Sequence, residues 1–271
     1  MLRSRFLTAL VAIPLLVWLI FWASSWVFNF VVLLATFVAL REFSAMALGA
    51  VRGAATLTTL GGMSIAAAMG LVQGGMAAST GISAGIVACL TLTLLGTLAT
   101  ATDMNRSVQN AGQILLGALY GGVLLPHLIW LRALPEKGPA WVFFVFAVSM
   151  ASDVGGYFGG GALGNRKLWP SVSPNKTVEG AAVSFLSGLF AGVVLDAIIL
   201  RSLGFLQALF VAGLIALLAQ LGDLLESMLK RAYGVKDSGW LLPGHGGVLD
   251  RTDSLVLPIV FVYYYAILVI G

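Results

Sequence analysis

Nine apolar stretches, each long enough to cross a membrane, decide what this chain can become. They run roughly over residues 5–23, 25–40, 54–73, 82–100, 111–131, 140–160, 178–200, 204–229 and 254–270. About 20 apolar residues in a helix span the hydrocarbon core. A helix is the natural solution, because it satisfies every backbone polar group internally where no water can do so. With 59% hydrophobic and 10% charged residues and a mean hydropathy of +1.00, the chain falls outside the soluble globular class. The expected fold is an all-α integral membrane protein, a polytopic bundle of about nine transmembrane helices forming one domain over residues 1–271. The lone Cys89 excludes an internal disulfide framework and any CxxC metal site, and reads as a small core hydrophobe. The start, Met1–Arg5 followed by an apolar run, reads as a retained signal anchor, since Ala23–Ser25 is a poor cleavage site.

Charge orients the bundle. Nine spans put the N-terminus and the loops after spans 2, 4, 6 and 8 on one side. That side carries Arg3, Arg5, Arg41, Arg52, Arg106, Arg166, Lys167, Lys176, Lys230, Arg231, Lys236 and Arg251, against Arg132, Lys137 and Arg201 on the other. Lys and Arg accumulate in cytoplasmic loops, so the N-terminus and the polar loops are expected to face the cytoplasm, in a bacterial inner membrane. The net charge of +4 is then a field toward the anionic leaflet. No basic run interleaved with aromatics points to nucleic acid.

The first 140 residues carry little intramembrane polar chemistry. Glu42, Asp103 and Glu136 fall at expected span ends, where water solvates a carboxylate cheaply. Chemistry concentrates in residues 141–271. One polar connection, after span 6, runs from Ser152 and Asp153 through a glycine-rich stretch to Arg166 and Lys167, then Ser173-Pro174-Asn175-Lys176-Thr177-Val178-Glu179-Gly180. Glycines let backbone N–H groups approach an anion, and a helix beginning near Thr177 would aim its N-terminus at phosphate. Gly155 and Gly159 fit either that role or close helix packing.

The second connection, Ser227–Asp253, is a dense polar island between two apolar spans. It holds Lys230, Arg231, Lys236, Arg251, Asp237, Asp250, Asp253 and His245, one of only two histidines. Asp223 and Glu226 precede it, three apart and so on one helix face. Asp223 lies seven residues before Lys230, about 10 Å of helix rise, inside the membrane profile. A carboxylate there needs a compensating cation. Asp223, Asp250 and Asp253 therefore read either as ligands of a hard divalent ion or as salt-bridge partners of Lys230, Arg231 and Arg251. His245, in a flexible Gly-rich turn, reads as a phosphate contact or loop organiser. His127 reads as structural, and Asp196 as a partner for Arg201 or a polar group on another span.

The run Ser227-x-Leu229-Lys230-Arg231-x4-Lys236-Asp237-x3-Leu241-x-Pro243-Gly244-His245-Gly246-Gly247-x2-Asp250-Arg251-x-Asp253 resembles the motif of the phosphatidate cytidylyltransferases, the CDP-diacylglycerol synthases, over its whole length. Ser173-Pro174-x-Lys176-Thr177-x-Glu179-Gly180 is similar to that family's second characteristic stretch. Only Asn175 departs, where a basic residue is frequent. The resemblance implies CTP and phosphatidate as substrates, CDP-diacylglycerol and pyrophosphate as products, Mg²⁺ as cofactor and a homodimer, while the four carboxylates Asp223, Glu226, Asp250 and Asp253 could accommodate a second, monovalent cation. On that basis Asp223, Lys236, Asp250 and Arg251 are the expected catalytic residues, with Asp223, Asp250 and Asp253 as metal ligands. Lys167, Ser173, Lys176, Thr177, Lys230, Arg231 and His245 are the expected substrate contacts. A secondary transporter would place carboxylates at the midplane of repeated halves, a pattern missing here. The DGxxAR opening of the CDP-alcohol phosphotransferases is missing too. A lipid nucleotidyltransferase acting on an ether-lipid phosphate stays open.

Overall fold

The computed structural model describes residues 2–49, 51–71, 75–135, 137–239 and 246–270. Each of the nine apolar runs lies in a helical segment, and the protein is an all-α polytopic membrane protein. Eight helical segments among the described residues are long and apolar enough to cross a membrane, with the shorter apolar Ala12–Phe21 in the first helix. The chain divides into two compact units, Met1–Ala133 with Asp237–Arg251, and Leu134–Lys236 with Thr252–Gly271. The segment 237–251 groups with the front half.

The first unit contains α1 (Leu2–Phe21), α2 (Ser25–Leu48), α3 (Ala54–Leu71), α4 (Gly75–Thr100), α5 (Met104–Leu119) and the short α6 (His127–Arg132). A π-helical turn, Tyr120–Leu124, and Pro126 separate α5 from α6, since proline cannot donate to a helix ladder. Leu40 and Phe43 of α2 are fully buried, with Gly62, Gly117 and Gly121 packed against them. Cys89 is buried against Gly61 of α3, the small-hydrophobe role expected of it. Arg132 caps α1: its guanidinium donates to the carbonyls of Ile20 and Ala23 and stacks 4.6 Å from the Phe28 ring. His127 Nδ1 lies 2.8 Å from the Val123 carbonyl in the last span of this unit, a structural role as expected.

The second unit contains α7 (Gly138–Leu163), a two-stranded antiparallel hairpin of β1 (Lys167–Trp169) and β2 (Ser173–Thr177), α8 (Val178–Leu195), α9 (Phe205–Ala232) and most of α10 (Leu249–Tyr265). The hairpin is the one departure from the all-helical expectation in this unit. α7 and α8 meet through small residues, with Gly155 on Ser187 and Gly159 on Val183 too close to admit another Cβ. Gly188 and Gly192 repeat the device against Ala216 and Ala212 of α9. Lipid gives helices no hydrophobic reason to associate, so close backbone contact and dispersion take over. Gly155 and Gly159 thus take the packing alternative. Among the described residues Asp196 bonds to backbone amides rather than to the Arg201 side chain. Its Oδ1 accepts the Ser202 and Leu203 amides, at 3.2 and 3.1 Å, and closes the turn in which Arg201 adopts φ +47°.

Candidate active site

A cavity of about 450 Å³ opens in the second unit among α7, α8, α9 and the hairpin. The glycines that pack α7 on α8 leave their neighbours Gly156, Gly160 and Gly161 to line the cavity, together with Asp153 and Tyr157. α9 contributes Gln220 and Asp223, and β2 leads in with Asn175, Lys176 and Thr177. Thr177 is the N-cap of α8: its hydroxyl oxygen accepts the Gly180 amide at 3.1 Å. Glu179, in the first turn of α8, accepts the amides of Asn165 and Arg166 at 3.0 and 3.1 Å and fixes the start of the hairpin. The hairpin so anchored carries Lys176 to Asp223, with Nζ 2.7 Å from Oδ2. The Ser227 hydroxyl donates to the other Asp223 oxygen at 3.3 Å.

Around Asp223 the field is negative. With Glu226 beside it, Asp253 lies within electrostatic reach of Asp223 and Asp153. Its own Oδ1 accepts the Ser254 amide at 2.7 Å, and the Ser254 hydroxyl donates to Asp153 at 3.1 Å. Gly222 lets α9 pass directly over the Asp253 carbonyl, where no Cβ would fit. Glu226, with 0% of its side chain exposed, takes the Lys230 ammonium at 2.7 Å. The Lys176–Asp223 and Lys230–Glu226 ion pairs thus lie in a cluster of four acids, Asp153, Asp223, Glu226 and Asp253. A site of that sign, set in apolar spans, favours an added cation.

In the first unit, residues 237–239 and 246–251 gather around two carboxylates. Asp250 Oδ2 accepts the Ser238 amide, the Ser238 hydroxyl and the Gly247 amide, each at 2.9 Å. Glu42 of α2 accepts the Val248 amide at 3.0 Å and the Leu249 amide at 2.8 Å. It is buried, 8% exposed, rather than solvated at a span end, because α2 continues to Leu48 instead of stopping near residue 40. Of the other two carboxylates expected at span ends, Asp103 is exposed and caps α5, and Glu136 lies outside the described residues.

Comparison with known proteins gives the same answer as the motifs. Residues 3–269 match the cytidylyltransferase family. The chain belongs to that family. A phosphatidate cytidylyltransferase of Bacillus subtilis is 39% identical over 184 residues, 68% of each chain. One from Staphylococcus saprophyticus is 40% identical over 167 residues, 59% of this chain and 62% of the relative. One from Staphylococcus haemolyticus is 38% identical over 167 residues with the same coverage. The matched region thus spans somewhat under two thirds of the staphylococcal relatives.

In this cytidylyltransferase the expected site residues distribute unevenly. Lys176, Thr177 and Asp223 meet at the cavity, and Asp253 lies beside Asp223. Lys167 and Ser173 sit on the hairpin, Lys167 exposed and Ser173 half-buried. Lys230 is engaged by Glu226. Arg231 is exposed and donates to the Val235 carbonyl at 3.3 Å. Lys236 and Arg251 are exposed, and His245 lies outside the described residues. Asp223 and Asp253 belong to the second unit and Asp250 to the first. Among the described residues no three His, Cys, Asp or Glu side chains converge as a ready-made ligand set. Asp153 and Glu42 were named from sequence without a site role, and Gln220 was not named. For Asp153 the available signal was a carboxylate inside an apolar span, which is a functional mark by default.

Proposed function

We propose that this enzyme transfers CMP from CTP to phosphatidate, giving CDP-diacylglycerol and pyrophosphate. The observation that carries this reading is the cavity where Lys176, from one motif stretch, and Asp223, four residues before the other, come together in a membrane-embedded cytidylyltransferase. Relatives at 37–40% identity are named for the same reaction. Phosphatidate cannot leave the bilayer cheaply and CTP is wholly aqueous, so a polar cavity among spanning helices suits both.

A phosphomonoester oxygen of phosphatidate is the nucleophile, already largely ionised near neutral pH. It bonds to the α-phosphorus of CTP as the bond to the bridging oxygen of the β-phosphate breaks, and pyrophosphate departs with that electron pair. No serine, cysteine or histidine nucleophile is required. The chain's task is to bring two polyanions into line and to neutralise the charge that grows on the leaving group. Lys176 exchanges its hold on Asp223 for a phosphate oxygen. Lys167, Lys236 and Arg251, exposed on polar segments, bind the triphosphate electrostatically. Ser173, Thr177 and His245 add hydrogen bonds, and Arg231 adds charge.

The hard oxygen donors of Asp223 and Asp253, in a field short of positive charge, suit Mg²⁺. Asp250 is proposed as a further ligand beyond its loop contacts, and a monovalent cation as a second ion. The metal, when bound, neutralises the triphosphate and polarises it for attack. The N-terminus and polar loops are placed in the cytoplasm of a bacterial inner membrane, on the twelve-to-three division of basic residues. A homodimer is proposed alongside, to be read from the mass of the solubilised particle.

The test is product formation by purified protein from phosphatidate and labelled CTP, with and without Mg²⁺. Mg²⁺-dependent CDP-diacylglycerol is expected, falling at least about 100-fold in Asp223→Asn. Full turnover by Asp223→Asn would remove the metal assignment. No product with diacyl phosphatidate, but product with an ether-lipid phosphate, would transfer the reaction to that substrate.

A further inference from the structure

We infer that Glu42, from the structural front half of the chain, is a positioning residue for the reaction, holding the polar loop in its working form. This rests on the reading of that loop as part of the catalytic machinery. Glu42 sits on α2, far in sequence from every motif residue, yet both its oxygens reach into the loop. Oε1 accepts the Val248 amide at 3.0 Å and Oε2 the Leu249 amide at 2.8 Å. Leu249 opens α10 and Val248 immediately precedes it, so neither amide has a carbonyl partner within that helix. A carboxylate there satisfies both donors and faces the positive end of the helix dipole.

The loop is also shaped around this carboxylate. A Cβ on Gly239 or on Gly247 would overlap Glu42, so both glycines leave the space that its carboxylate fills. Ser238 joins Glu42 to the motif residue Asp250. Its hydroxyl lies 2.9 Å from Asp250 Oδ2 and 3.5 Å from Glu42 Oε2, and with one proton it donates to the nearer carboxylate. Moving Glu42 therefore moves Val248 and Leu249, the residues that immediately precede Asp250 and Arg251. A misplacement of about 1 Å in a positioning element costs up to about 100-fold in rate.

The test compares Glu42→Gln with wild type by hydrogen exchange and steady-state kinetics on the full-length solubilised protein. Glutamine offers one acceptor oxygen where carboxylate offers two, and turns an NH₂ toward the second amide. The expected result is faster exchange at Val248 or Leu249, kcat lower by about 10- to 100-fold, and KM for phosphatidate within about twofold of wild type. Ser44→Ala, which removes a buried hydroxyl bonded to the Leu40 carbonyl on the same helix, should leave kcat intact. Lost protection with unchanged kcat, or an equal kcat loss in Ser44→Ala, overturns the inference. Should Glu42→Gln fail to fold, Gly239→Ala displaces the same contact from the loop side, and the same readouts decide. A wild-type protein that makes no CDP-diacylglycerol sinks the functional reading and the catalytic part of this one. The exchange arm then still decides whether Glu42 holds the loop.

Discussion

Lys230 is the motif residue for which structure and motif suggest different jobs, and a single substitution separates them. As a phosphate contact it would face substrate. In the structure its Nζ lies 2.7 Å from Glu226, with 13% of the Lys230 side chain and 0% of the Glu226 side chain exposed. At an effective dielectric of about 20, two unit charges that close attract by roughly 6 kcal/mol before desolvation is counted. Deleting one partner of such a buried pair costs about 3–5 kcal/mol, mostly from the charge left behind. Asp253 lies beside Glu226, so the stranded carboxylate keeps an acidic neighbour. Lys230→Met should therefore lower the thermal midpoint by roughly 6–20 °C, taking 2–4 °C per kcal/mol for a chain of this size. The Lys230→Met/Glu226→Gln double variant should recover most of that loss, because no charge remains unpaired. Thermal unfolding in detergent, with KM for CTP measured on surviving protein, reads both effects. An unchanged midpoint with KM for CTP raised tenfold or more would refute the pairing and return Lys230 to the phosphates.

Gly159→Ala should destabilise the second unit by about 1–3 kcal/mol, read as a lower thermal midpoint, because its Cβ would strike Val183. Gly112→Ala, with nothing within 4 Å of the added Cβ, should stay within about 1 kcal/mol of wild type in the same assay. Asp196→Ala strips the acceptor from two turn amides and should cost about 1–3 kcal/mol, while Asp196→Asn keeps an oxygen and most of the stability. Turnover per folded molecule should be unchanged in both Asp196 variants. Lys176→Met should lower kcat/KM for CTP about 10- to 1000-fold, with Mg²⁺ affinity not reduced, since the variant removes a cation competing for Asp223. Reduced Mg²⁺ affinity in Lys176→Met would show that the lysine supports the metal instead of competing with it.

The spans were legible because hydropathy and the bilayer's demand for internally bonded backbone leave one solution, and each apolar run became a helix. That Asp223 needs a cation was legible for a related reason, since it lies one helical stretch below a basic boundary, but its ion-pair partner was not: the sequence named Lys230, Arg231 and Arg251, and the structure supplies Lys176. Glu42 was not legible. Its position near the end of an apolar run looks like a solvated span end, and only the continuation of α2 to Leu48 buries it. Nothing local announces that its partners are amides some two hundred residues away. The Lys230–Glu226 pair was missed for the opposite reason. Spacing places Glu226 four residues before it, the favourable helical ion-pair arrangement, but a rich motif draws the eye to phosphate instead.

The carboxylates of this protein also differ in what would have to be given up to bind a cation. Glu42 and Asp196 accept backbone amides, and Asp250 Oδ2 accepts two amides and a hydroxyl. Withdrawing such an acceptor strands buried donors that cannot move to new partners. Glu226 is fully buried, and stripping Lys230 from it exposes neither group to water. Asp223 is bound to an ammonium on a flexible four-carbon stem and to a serine hydroxyl that can rotate. About a third of its side chain is exposed, at a cavity large enough for phosphate groups. Both partners can turn to other acceptors when a cation or a triphosphate arrives, so exchange at Asp223 costs the fold least. That difference in the cost of release, more than the number of acids nearby, marks Asp223 as the carboxylate available for chemistry.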